Sequence, residues 1–166
     1  RLIADLDSPK IELTLASPYL DTNDMRILGQ LDSTRKRKTP PSRIRLKADL
    51  SVDAGKIDRI PFRKLKSALA LEDGILYLDG CEFLALGGKI SGKSRIDLAN
   101  GGSPRYQSNF KLDKLSLEQC FQLFDIKEGL ITGSLSAQGD LTAKGEKTEE
   151  LKKNLLGNVR VQMEKG

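Results

Sequence analysis

The sequence predicts a mostly β protein: one long curved antiparallel sheet, forming a β groove or an open barrel-like or sandwich-like shape, with two or three short helices. Three observations carry that expectation. Residues 43–54, RIRLKADLSVDA, alternate without a break, with Ile44, Leu46, Ala48, Leu50, Val52 and Ala54 separated by charged or hydroxyl residues. Residues 129–143 do the same, with Ile131, Gly133, Leu135, Ala137, Gly139, Leu141 and Ala143 set against polar neighbours. Strand side chains point to opposite faces with a period of two, whereas a helix would scatter these apolar positions all round. The third observation is a shortage of cover. Apolar residues make up 38 % and aromatics 5 % of the 166 residues, a lean supply for hiding one face of such a sheet.

Taken in order, residues 1–6 alternate loosely and residues 10–15 cleanly, with Ile11, Leu13 and Leu15 on one side and Ser17-Pro18 ending the run. Asp21 is placed to cap a short helical turn containing Met25 and Leu28, which Gly29 stops. Residues 1–30 are thus the end of a preceding β segment. Residues 31–42 form a linker with Pro40-Pro41 and the cations Arg35, Lys36, Arg37 and Lys38. That run is either a solvated loop or a contact for anionic lipid headgroups, at about 1 kcal/mol per cation.

Residues 43–166 form the main β domain. Gly55 is expected to turn the chain, residues 56–60 to pair back, and Pro61 to break the run. Leu65, Leu69 and Leu71 share a face, and Glu72-Asp73-Gly74 reads as a hairpin turn. Two short apolar runs flank Asp79-Gly80, and Gly87-Gly88 precedes a strand with Ile90, Gly92 and Ile96 inward. Tyr106, Ser108, Phe110 and Leu112 follow on the next strand. Ser116 is expected to cap a helix whose stripe is Leu117, Cys120, Phe121 and Phe124. After the long alternation, Thr148 is read as the cap of a last helix that Gly157 ends, and residues 158–164 as a closing strand with Val159, Val161 and Met163 inward.

About nine strands at roughly 4.8 Å spacing and 30 Å height give an apolar face on the order of 1,300 Å², while two short helices shield only roughly 260 Å². Monomeric soluble proteins rarely expose apolar patches beyond a few hundred Å². Three outcomes satisfy that mismatch: a dry sandwich or barrel, packing against another protein surface, or a trough carrying lipid tails. Gly92, Gly133 and Gly139 on the apolar side suit curvature or a lined groove, since glycine fills no core.

Catalysis finds little support in the residues. The chain has no histidine, which removes the usual proton shuttle and metal ligand. Cys81 and Cys120 are the only cysteines, too few for a metal site of ordinary spacing; they are small buried residues or, in an oxidising compartment, a disulfide. Residues 87–94, GGKISGKS, match the pattern of a phosphate-binding loop, but such a loop needs a following helix and SRIDLAN continues the alternation. The expectation is therefore no enzyme, no catalytic residue, no metal and no cofactor. A net charge of +5 is spread along polar strand faces without interleaved aromatics, which argues against nucleic acid.

The stretch IRLKADLSVDAGKIDRIPFRKLKSALALEDGILYLDGCEFLALGGKISGKSRIDL resembles the C-terminal region of the AsmA family, bacterial envelope proteins of the AsmA and TamB-like kind. PRYQSNFKLDKLSLEQCF and GLITGSLSAQGDLTAKGEKTEELKKNLLGNVRVQMEKG are similar to the closing segment of the same family, and IELTLASPYLDTNDM to the segment before its linker. The resemblance covers nearly the whole chain and rests on glycine placement and the order of strands. It implies a fragment of a longer periplasmic protein of Gram-negative-type bacteria, anchored in the inner membrane by a helix outside this sequence. It further implies a groove for phospholipid acyl chains passing between inner and outer membranes. An older description of the family instead implies a scaffold assisting outer-membrane protein assembly. The groove-lining positions expected on this reading are Leu46, Leu50, Val52, Leu69, Ile90, Ile96, Tyr106, Phe110, Ile131, Leu135 and Val161.

Overall fold

The computed structural model describes residues 2–3, 10–23, 45–98, 102–123 and 132–166. The linker with Arg35, Lys36, Arg37 and Lys38, the positions Met25 and Leu28, and Ile131 lie outside them. The described residues form one open sheet of nine strands in sequence order: β1 (Leu2–Ile3), β2 (Lys10–Asp21), β3 (Arg45–Ile57), β4 (Ile60–Glu72), β5 (Ile75–Ala85), β6 (Gly88–Asp97), β7 (Arg105–Ser116), β8 (Gly133–Lys144) and β9 (Leu156–Lys165). Two short helices, α1 (Leu117–Gln122) and α2 (Thr148–Lys153), interrupt the meander on either side of β8.

Every neighbouring pair is antiparallel except β2 and β3, which run parallel with Ile11 opposite Leu46 and Leu15 opposite Leu50. The expected all-antiparallel sheet is thus mixed at one seam. A parallel pair needs a crossover of a dozen residues or more, and the 23 residues between Asp21 and Arg45 meet that length.

The tight turns are built from left-handed residues. Asp73 (φ 49°) and Gly74 (φ 76°) join β4 to β5 with the two positive φ values that match hairpin twist. Leu86 (φ 52°) and Gly87 (φ 76°) do the same between β5 and β6. The residues that match the phosphate-loop pattern therefore fall in this turn and in β6, where Ser94 to Asp97 stay in the strand.

Several punctuating residues do not interrupt as expected. The β2 ladder passes over Pro18, with Ser17 and Tyr19 still opposite Val52 and Ala54, because proline is tolerated on a strand with little beyond it. Pro61 pairs with Lys56 as the second residue of β4. Gly55 lies inside β3 rather than at a turn; a Cβ there would strike the Leu20 carbonyl oxygen and the Phe62 ring. The turn comes later, at Asp58 (φ 56°), whose N–H donates to Thr22 Oγ1 at 3.2 Å.

The helices are capped by unequal means. Ser116 Oγ accepts the Gln119 N–H at 3.3 Å, as its position predicts. Thr148 is the first residue of α2 rather than its cap, which is Lys147; instead Glu150 reaches back to accept the Glu146 N–H at 3.0 Å. Gly157 belongs to β9, opposite Leu141, and the helix ends earlier at Asn154.

The extensive contacts between elements run between sheet neighbours, with α1 laid on β7 and β8 and α2 on β8. Neither the barrel nor the sandwich form is taken among the described residues: the sheet does not close, and no second sheet lies over it. Even so, Val52 is 1 % and Phe62 2 % exposed, in a cluster with Leu65 and Ala85. Side chains on a flat single sheet would stay wet, so burial without a covering layer follows from the sheet curving over its apolar side. Register shifts in β5 between Leu78 and Cys81 and in β7 between Leu112 and Leu115, with Gly80 (φ 58°) and Lys114 (φ 51°) left-handed, are bulges that bend strands in this way.

Candidate functional site

Residues directly opposite in neighbouring strands share a face, so the register can be followed across the sheet. Leu46 lies opposite Leu71, which faces Leu76, then Ile96, Tyr106 and Ala143 in turn. Ala48 leads through Leu69, Leu78, Ser94 and Ser108 to Leu141. Leu50 faces Ser67 and Val52 faces Leu65. Beyond the bulge, Cys81 leads through Gly92, Phe110 and Gly139 to Val159, and Phe83 through Ile90, Leu112 and Ala137 to Val161. Leu135 faces Leu115 on one side and Met163 on the other. The register therefore brings Leu46, Leu50, Val52, Leu69, Ile90, Ile96, Tyr106, Phe110, Leu135 and Val161 to one face; Ile131 lies outside the described residues.

That face grades from dry to wet. At one end Val52, Phe62, Leu65 and Ala85 form a buried knot, with Phe83 edge-on to Phe62 at 6.0 Å between ring centroids. The middle, from Ile90 to Leu141, is half-buried. At the flank, Val159 (51 %), Val161 (52 %) and Met163 (67 %) are open, and so are Leu13 and Leu15 on β2. The glycines sharpen the curve: a Cβ on Gly92 would come 2.6 Å from the Asn109 carbonyl oxygen, and one on Gly139 would strike that of Asn158. Backbones thus approach closely between β6 and β7 and between β8 and β9 along the row that holds Phe110.

Few polar groups interrupt this surface, and they satisfy one another. Ser94 and Ser108 share a hydrogen bond of 2.8 Å, and Ser67 donates to the Asp79 carbonyl at 3.4 Å. Burial pushes the Cys81 thiol above its ordinary range, opposed by a hydrogen bond with Ser67, and burial does the same to Cys120. Both cysteines are free thiols, so the disulfide alternative is not realised. A raised thiol pKa leaves less thiolate, the opposite of an activated nucleophile.

The reverse face is hydrophilic. Lys89 pairs with Glu82 at 2.6 Å, holding that carboxyl below the usual carboxylate range, and Asn109 bonds Asp140. A shallow depression there of about 490 Å³ is lined by Gln138, Asp140, Asn158 and Arg160 together with Phe110 and Val159. A larger cleft of about 810 Å³ sits at the dry end, around Tyr19, Phe62, Leu84 and Leu86. Among the described residues no group of acidic, cysteine or histidine side chains is arranged to hold a metal ion. No helix among them is long and apolar enough to cross a membrane.

Sequence reasoning missed Phe62, the centre of the dry knot. Strict alternation sets it apart from Leu65, an odd-numbered position. Lys64 (φ 55°) and the register shift that follows Arg63 change the phase, so both residues join one cluster. The available signal was a lone aromatic between Pro61 and the cations Arg63 and Lys64.

No family model, curated protein or solved structure matches the chain.

Proposed function

We propose that this chain is part of a non-enzymatic periplasmic β groove that binds phospholipid acyl chains. It would belong to an inner-membrane-anchored protein that carries phospholipid between inner and outer membranes and so supports outer-membrane biogenesis. One observation supports the reading: the apolar sides of eight neighbouring strands, β2 to β9, join into a single curved surface that no second sheet covers among the described residues. Acyl chains are the ligand that such a surface suits, since each Å² taken from water contributes roughly 25 cal/mol and no directional bonding is required. The compartment and the anchor come from the AsmA-family resemblance alone.

Native mass spectrometry of the purified chain tests the idea. Wild type is expected to retain lipid, whereas Leu50→Glu and Leu135→Glu, each confirmed folded by circular dichroism, lose it. Equal lipid in wild type and both variants would sink the proposal. The second reading, a scaffold assisting outer-membrane protein assembly by strand addition, draws on the outer edge of β9, which no described strand occupies. Photoreactive residues placed along 46–52 distinguish the two, crosslinking lipid under the first reading and protein under the second.

A further inference from the structure

We infer that β9 is a dimerisation edge, across which two copies of this chain join their sheets antiparallel about a two-fold axis. The inference does not rest on the lipid reading. It begins with the direction of the β9 backbone. Gly166 N–H donates to the Thr132 carbonyl at 3.4 Å, and Lys165 lies opposite Gly133. Hydrogen-bonded and non-bonded pairs alternate in an antiparallel ladder, so even-numbered residues of β9 turn their peptide groups toward β8. The Asn158 and Asp140 carbonyl oxygens, which crowd the Cβ positions of Gly139 and Gly157, lie between the strands as this phase requires. Val159, Val161, Met163 and Lys165 therefore turn N–H and C=O outward, to an edge that no described strand occupies.

Among the described residues nothing covers that edge, and on its apolar side Lys165 is the one charge. All ten residues of β9 are exposed and none is proline. The opposite edge differs, because β2 carries Pro18 and its start is paired with β1. A long edge that no described strand pairs is a template for another strand.

The side chains specify which strand. A two-fold axis normal to the sheet sets residues of equal parity opposite one another and keeps each apolar face continuous. With the axis at Gln162, Arg160 lies opposite the partner's Glu164 and Glu164 opposite the partner's Arg160. On the apolar side Val161 meets Met163 twice. The charged pairs occupy non-hydrogen-bonded positions, where side chains approach most closely, and the odd-numbered pairs would exchange roughly eight main-chain bonds. Neighbouring registers lose this match: an axis at Val161 sets Arg160 against Gln162, and an axis at Arg160 sets two guanidinium groups together. Within one chain Glu164 Oε1 accepts from Gln162 at 3.2 Å, which leaves its second oxygen for the partner's Arg160. An isologous pairing uses both edges at once and so closes at two copies.

Sedimentation of the 166-residue chain across a dilution series tests the inference. The wild type is expected to run as a dimer that dissociates on dilution. Arg160→Glu, which sets like charges opposite twice, should weaken it by roughly tenfold or more, and so should Glu164→Arg. The double swap Arg160→Glu/Glu164→Arg should restore wild-type affinity. Both side chains are exposed, so the fold is expected to survive these changes, and circular dichroism checks it. A chain monomeric at every concentration overturns the inference. So do single variants that dimerise as tightly as wild type, a double swap that fails to recover, or larger oligomers indifferent to Arg160→Glu.

Discussion

Gly55 and Phe62 show how much a single position decides in a one-layer sheet. Phe62 is 2 % exposed although no second sheet among the described residues covers it, because its ring lies where Gly55 has no side chain, and Leu65 and Ala85 close around it. Filling the glycine overpacks the knot and emptying the ring hollows it. Gly55→Ala is expected to cost about 1–3 kcal/mol and Phe62→Ala about 3–5 kcal/mol, read from urea unfolding midpoints. A loss below about half a kcal/mol in both would mean that the knot does not hold the curved end together. By contrast Val159 and Met163, at 51 % and 67 % exposed, contribute apolar surface without comparable packing.

Individual elements owe their limits to a few side chains. α1 starts where Ser116 accepts the Gln119 N–H, while its own N–H donates to the Leu86 carbonyl at 2.7 Å and ties the helix start to the preceding turn. Ser116→Ala should remove about 1 kcal/mol of stability while leaving the strands intact. Thermal unfolding would measure it, and an unchanged midpoint would show the cap to be idle. This cap, the Asp73-Gly74 turn and the strand faces around Leu46 and Ile90 were legible in the sequence, because capping, left-handed turns and alternation are local signals. Gly55, Pro18, Pro61 and Gly157 were misread for one shared reason. Sequence treats glycine and proline as punctuation, whereas here neighbouring strands decide their meaning: close backbone approach for the glycines, an incompletely paired edge for Pro18, a strand's first turn of ladder for Pro61. Thr148 was misplaced by one residue: the cap is Lys147, whose side chain makes no capping bond, and Glu150 reaches back instead to the Glu146 N–H ahead of the helix. The site face was legible apart from Phe62, where the bulge at Lys64 resets the alternation.

At the scale of the molecule, the sheet is a nearest-neighbour structure. Each strand from β3 to β9 leans on the one before it, and among the described residues no second sheet closes the apolar side they share. Such an architecture holds a surface in place without burying it. The parallel seam between β2 and β3 also sets an order of assembly. The two-residue hairpins of β4–β5 and β5–β6 close at little entropic cost, but joining β2 to β3 closes a loop of 23 residues, at roughly 3 kcal/mol. The meander should zip from its hairpins first, and β2 should dock onto a finished flank. Pulsed hydrogen exchange during refolding would then protect the amides of Ile90 and Phe110 before those of Thr14 and Ala16, which face β3. Simultaneous protection of both sets would show that the first long strand is a founder of the sheet and not its latecomer.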